Sequence, residues 1–266
     1  MKASRRPKRT MQERRVETTN KILDAAERLF GLRGLYGVTV RDVARDAEVD
    51  NSLINYYFGD KDGLFQAVID RRAASGNQAR LAALDEYERV AGSNLSLEGA
   101  FDAFLQPAFT LFMHGEPGWR HFGGIIGHMN NAQEWGGRVM SEHFNPVSER
   151  LIALMRKILP HAADEDIYWC YHFLSGAFTF SLAQAGRIDI LSGGRFQSTD
   201  MEAIHKRLAP LFAAGVEAVC GNPAHTSLRT LHERPNTVQD TPAAQRGRTP
   251  SPTDLPSAGQ RVVSAR

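Results

Sequence analysis

Asn51, Ser52, Asn55 and Tyr56 share one side of a short stretch whose other side, Val49, Leu53 and Ile54, is aliphatic. At helical spacing such a stretch buries its apolar side and turns amide, hydroxyl and phenol groups outward. Those groups exchange hydrogen bonds with base edges and carry no charge that a phosphate would repel. A slim helix presenting them fits the major groove of DNA, about 12 Å wide. The charge along the chain agrees with a polyanionic partner at this end only. Residues 1–80 hold 16 Lys and Arg against 11 Asp and Glu, whereas residues 81–266 hold 16 against 19; a basic front and a mildly acidic rear follow.

Other chemistries find little support. His114, His121 and His128 recur every seven residues, but Pro117 and Gly118 interrupt the helix that would align them, and helical metal ligands fall three or four apart. They are read as core or pocket-lining histidines, and no metal is expected. There is no G-x-S-x-G elbow, no H-E-x-x-H, no glycine-rich phosphate loop after a strand and no paired carboxylates in an apolar segment. The chain is therefore expected to be no enzyme and to need no cofactor; an acyl hydrolase fused to a DNA-binding head is the rival class. Cys170 and Cys220, the two cysteines, lie in apolar helical stretches and read as small buried hydrophobes ahead of a disulfide or redox pair. No apolar run approaches the ~20 residues of a membrane span, and the basic N-terminus lacks the apolar stretch of a signal peptide. A cytoplasmic protein with no membrane partner is expected.

The elements that must position the four polar residues are legible from local rules. Residues 1–16 cluster Arg5, Arg6, Lys8, Arg9, Arg14 and Arg15 with few large apolar side chains, and are read as a flexible basic arm. From residue 17 to about 33, Ile22, Ala25, Ala26, Leu29 and Phe30 recur at helical spacing before Gly34, which gives helix 1. Thr39 and Asp42 form a capping box that opens a second helix ending near Asp46. Asp50 caps a third, and a fourth begins at Lys61. Gly76 is read as ending it, with a further helix over about 77–90. Apolar helical segments follow at roughly 97–113, 117–130, 135–158, 164–186 and 200–219, with Pro210 kinking the last or marking its start. No period-2 strand pattern occurs. Residues 221–266 contain no Phe, Trp or Tyr and half of the 12 prolines, and read as disordered. The expected fold is all-α, with a DNA-binding domain over 17–72 and a larger helical domain over 73–220.

The run from Thr18 to Ile69 resembles the N-terminal domain of the TetR family, through its D-A-A-x-x-L-F helix, the G-x-x-G-V-T-V-R-D-V-A entry, the L-I-N-Y-Y-F third helix and the G-D-K-D-G-L-F start of the fourth. The resemblance implies a helix-turn-helix in which Thr39 anchors a phosphate and Arg41 reaches a base edge, guanine being the natural bidentate partner. Asn51 and Ser52 match variable base-reading positions, with Asn55 beside them. Tyr56 and Tyr57 match aromatic positions that touch the DNA backbone, and Lys61 matches a phosphate contact aided by a helix N-terminus. One departure is that the A-G-V turn of the family reads Ala47-Glu48-Val49 here. A left-handed Glu48 would cost ~1 kcal/mol relative to glycine.

The family uses its second domain for dimerisation and small-molecule sensing, and the N-Y-Y-F-G stretch is similar to a subgroup answering to fatty acyl or other hydrophobic compounds. Residues 97–130 here concentrate aromatics broken by glycines and a few polar groups, the composition of an apolar ligand site. Phe104, Trp119, Phe122 and Ile125 are the expected lining, with Arg120, His121 and His172 as polar anchors. Small residues in 164–186 and 200–219 fit the family's four-helix dimer interface. The expectation is a homodimeric repressor that binds double-stranded operator DNA and is released by a hydrophobic effector; an activator, or a DNA-binding protein of low specificity without a ligand, stays open.

Overall fold

A computed structural model describes residues 10–133 and 135–221, and among these the chain forms ten α-helices and no strand. The expected tail over 221–266 lies, apart from Gly221, outside the described residues, as do residues 1–9 of the expected arm.

Helix α1 (Met11–Arg33) begins six residues earlier than its apolar pattern predicts. Thr10 Oγ1 accepts from the Glu13 N–H at 3.2 Å and the Glu13 carboxylate accepts from the Thr10 N–H at 2.7 Å, a closed capping box. The flexible arm read over 1–16 is thus corrected: its last six residues are the first turns of α1. The T-x-x-E signal was present but masked by the arginines around it.

Helices α2 (Val40–Asp46) and α3 (Asn51–Phe58) have the expected caps, Thr39 with Asp42 and Asp50 with the Ser52 N–H. Glu48 in the link between them takes φ +55°, the strained conformation its place in the turn implies.

Helix α4 (Lys61–Ala91) is one continuous helix of 31 residues, and this corrects the expected break at Gly76. The Trp119 ring lies against Gly76, where a Cβ would meet it at 3.3 Å. The glycine serves close approach of an aromatic, and the 72/73 boundary falls mid-helix.

Beyond it run α5 (Leu97–His114), α6 (Gly118–Asn130), α7 (Gly136–Ile158), α8 (Asp164–Leu182), a short α9 (Arg187–Leu191) that the sequence pattern did not suggest, and α10 (Met201–Cys220). Pro210 lies inside α10. A single apolar core runs from Ile22, Phe30 and Ile54 at the N-terminal end to Phe101, Phe109, Leu151 and Leu174. Beside it Arg72 gives two hydrogen bonds to the Glu27 carboxylate, at 2.7 and 3.0 Å, and a third to Glu116 at 2.8 Å. No described helix is long and apolar enough to cross a membrane.

Candidate nucleic-acid interface and ligand cavity

Helices α2 and α3 owe their mutual placement to buried Val43, Ala44 and Ile54 on the side facing α1 and α4. The opposite side of α3 then projects Ser52, Asn55 and Tyr56, the last 76% exposed. Arg41 on α2 is exposed and forms no ion pair with a described residue. These groups lie on adjoining helices joined by the four-residue link Ala47 to Asp50, the layout a groove reader needs.

The remaining expected contacts are more engaged within the protein. The Thr39 hydroxyl accepts from the Asp42 N–H at 3.1 Å and donates to its carboxylate at 2.6 Å. The hydroxyl donation, with a second bond from the Thr39 N–H at 3.0 Å, holds the Asp42 carboxyl below its ordinary range. The Ser52 side chain and backbone N–H do the same for Asp50, so a carboxylate remains at the start of α3. Asn51 is half-buried, and its Oδ1 is buried without a hydrogen bond. Lys61 donates to the Leu35 carbonyl at 3.2 Å and sits 5.6 Å from the centre of the Tyr36 ring, leaving two of its three donors. Tyr57 packs edge-on to Tyr56, with the Arg15 guanidinium 5.7 Å over its ring. Arg14 and Arg15, placed in the arm by sequence, thus belong to a groove between the first turns of α1 and the end of α3.

An apolar cavity of about 60 Å³ lies among α4, α5, α6, α7 and α8. Phe104, Trp119 and Phe122 line it as the sequence suggested, joined by Ile126, Phe144 and Phe178. Arg120, His121, Ile125 and His172 do not. On α6 the positions 119, 122 and 126 make one face by helical spacing, which turns Arg120 out to solvent and His121 toward α1. Burial there pushes the His121 imidazole below its ordinary pKa. Ile125 is core, and His172 lies on the outer side of α8 against Trp169 and Phe173. The three histidines of the seven-residue repeat do not converge, and no group of described residues is arranged to hold a metal.

Sequence reasoning missed two arginines that border this cavity, Arg72 and Arg80. Arg72 is neutralised by Glu27 and Glu116, and its guanidinium lies 5.3 Å over the Trp119 ring. Glu27 sits among Leu23, Ala26 and Phe30 on the apolar stripe of α1, and a charge there was the available signal of a buried pair.

The outer faces of α8 and α10 carry apolar side chains that are exposed among the described residues. Trp169, Phe173 and Phe180 fall at i, i+4 and i+11 on α8, the last two 58% and 62% exposed, and Leu211 on α10 is 66% exposed.

Two family profiles match the chain, together over more than half of it: "Bacterial regulatory proteins, tetR family" over residues 22–68 and "Tetracyclin repressor-like, C-terminal domain" over residues 102–215. Among curated proteins, the chain is 30% identical over 100 residues to the probable HTH-type transcriptional regulator YttP of Bacillus subtilis, covering 38% of this chain and 44% of that one. It is 44% identical over 48 residues to the HTH-type transcriptional regulator HbdR of Aromatoleum sp., covering 18% and 21%. The chain thus spans less than half the length of either relative. The crystal structure of HlyIIR, a hemolysin II transcriptional regulator, shares the fold with a TM-score of 0.51 at 17% identity, over 75% of this chain and 98% of that one.

Proposed function

This chain belongs to the TetR family and is a transcriptional regulator with a DNA-binding helix-turn-helix, and from that premise we propose that it is a dimeric repressor, freed from a pseudo-palindromic operator by a small apolar effector. The proposed DNA-binding part spans 17–72 and the sensing and dimerising part 73–220, in the cytoplasm where the DNA lies. Arg41, Asn51, Ser52 and Asn55 read bases; Thr39, Tyr56, Tyr57 and Lys61 hold the backbone. Phe104, Trp119 and Phe122 contact the effector. The exposed apolar faces of α8 and α10 pair with their copies, since an apolar surface of that kind marks an interface.

The observation that carries this reading is the continuity of α4. Its first residue, Lys61, stands beside the helix-turn-helix, and its residues 72–80 border the cavity. A ligand that displaces this helix alters the spacing of two recognition helices, which half-sites about 34–36 Å apart must match. A hundredfold loss of operator affinity requires ~2.7 kcal/mol of differential binding between the two states.

The test is selection of bound duplexes from random DNA, then fluorescence anisotropy on the selected site. Arg41→Ala and Asn51→Ala should each cost ~1–3 kcal/mol and relax base preference, whereas Lys61→Ala should weaken all sequences alike and reduce the salt slope by about one. Ala177→Arg and Ala214→Arg should give monomers by light scattering. A native monomer at micromolar concentration, or unchanged binding in Arg41→Ala combined with Lys61→Ala, refutes the docking scheme. Failure to select any preferred site would favour a DNA-binding protein of low specificity.

A further inference from the structure

Two arginines border the cavity, and only one has a countercharge. Arg80 is 93% buried, yet no carboxylate among the described residues lies within ion-pair reach of it. Its Nε–H is given to the Phe104 carbonyl at 2.9 Å, and the guanidinium lies 3.7 Å over the Phe104 ring and 5.4 Å from the Phe178 ring centre. The terminal N–H groups make no hydrogen bond to a described residue and border the cavity. Burial pushes this guanidinium down to about 10, so it stays cationic at neutral pH. A lone cation in such surroundings is costly, whereas a carboxylate meeting the planar fork gains two charge-assisted hydrogen bonds.

We propose that the effector is a small organic monocarboxylate, its carboxylate held by Arg80 and its apolar part packed among Phe104, Phe178, Trp119 and Phe122. This rests on the cavity being the effector site and adds the charge and size of the ligand. The volume bounds the size: about 60 Å³ is well below the ~150 Å³ that takes a benzene ring, so one aromatic ring or a short acyl chain enters only as the lining side chains yield. A long fatty acyl chain needs the helices to part. Arg72 offers no second anion site, because the Glu27 and Glu116 carboxylates already take three of its five donors and neutralise its charge.

The experiment is isothermal titration of the full-length protein with benzoate and hexanoate, each against its uncharged primary amide, followed by the same titrations on Arg80→Lys and Arg80→Met. The carboxylates should bind and the amides should bind about tenfold to hundredfold more weakly, the range for hydrogen bonds to a charged group. Arg80→Met should abolish that preference, and Arg80→Lys should retain part of it. Arg80→Met should also melt no lower than the parent without ligand, because an unpaired buried charge is removed. Should it fail to fold, the carboxylate-over-amide ratio in the parent protein still decides. Equal binding of acid and amide overturns the anion site while leaving an apolar effector cavity in place. No binding of any probe overturns the inference. Carboxylate binding without a change in operator affinity supports the site and refutes release by it.

Discussion

Gly124 on α6 lies so close to Gly31 on α1 that a Cβ at Gly124 would stand 2.4 Å from the Gly31 carbonyl oxygen, and a Cβ at Gly31 would stand 2.4 Å from the His121 carbonyl oxygen. Two glycines of distant segments thus let backbones touch where the helix that carries Trp119 and Phe122 meets the helix that packs across the helix-turn-helix. Backbone cannot yield as a flexible side chain can, so Gly124→Ala forces the helices apart. A loss of ~1–3 kcal/mol in urea unfolding is expected, together with altered operator affinity. A Gly124→Ala protein with unchanged midpoint and unchanged DNA binding would show that the crossing transmits nothing.

The Glu27–Arg72 pair makes a second prediction. Glu27 is 1% and Arg72 8% exposed at the side chain, so removing one partner leaves a buried charge with only a weaker one, exposed Glu116 for Arg72 or Arg71 at 3.9 Å for Glu27. Glu27→Leu or Arg72→Met alone should cost ~3–5 kcal/mol, and the double variant should recover much of that, because both desolvation penalties vanish together. The double-mutant cycle in denaturant measures this; additive losses would contradict it. Gly118 belongs to the same arrangement, since a Cβ there would lie 2.2 Å from Arg72 Nη2 and 2.3 Å from Glu27 Oε2.

Glu48 holds φ +55° at the turn of the helix-turn-helix. Glycine adopts that conformation without Cβ strain, and Glu48→Gly should raise the denaturation midpoint by the equivalent of ~1 kcal/mol, less the small entropy that glycine adds to the unfolded chain. A destabilised Glu48→Gly variant would show that the side chain makes contacts outweighing the strain.

His121 gives a pH dependence of known sign. Burial holds its pKa below the ordinary 6.5, so as pH falls through that value the unfolded chain takes up the proton before the folded one. Stability contributed by neutral His121 is therefore full above about pH 6.5 and declines below it, until the folded pKa is passed. Thermal melts from roughly pH 7 to 5 should show a shallower decline for His121→Gln than for the parent. Identical slopes would mean that the imidazole is hydrated in both states.

The helix-turn-helix was legible because the signals that make it are local. Thr39 with Asp42, Asp50 with Ser52 and the apolar positions of α1 each concern residues within a few places of one another, and these agree with the structure. The Thr10 box was equally local and was hidden by the arginines beside it. Gly76 misled because a glycine signals both a helix end and a close contact, and only the position of Trp119, 43 residues further on, tells which applies.

By itself the sequence determined an all-α chain with a groove-reading helix at its basic end, because capping and 3.6-residue periodicity depend on near neighbours. Tertiary structure alone decided which turn of each helix meets the cavity. A rotation of one residue separates Trp119 from Arg120, and Tyr171, which lines the cavity, from His172. It also decided that Arg72 finds two carboxylates while Arg80, two helical turns further along the same helix, finds aromatic rings and a single carbonyl. Which partner a charge meets is fixed by how helices far apart in the chain cross, and no local pattern encodes that crossing.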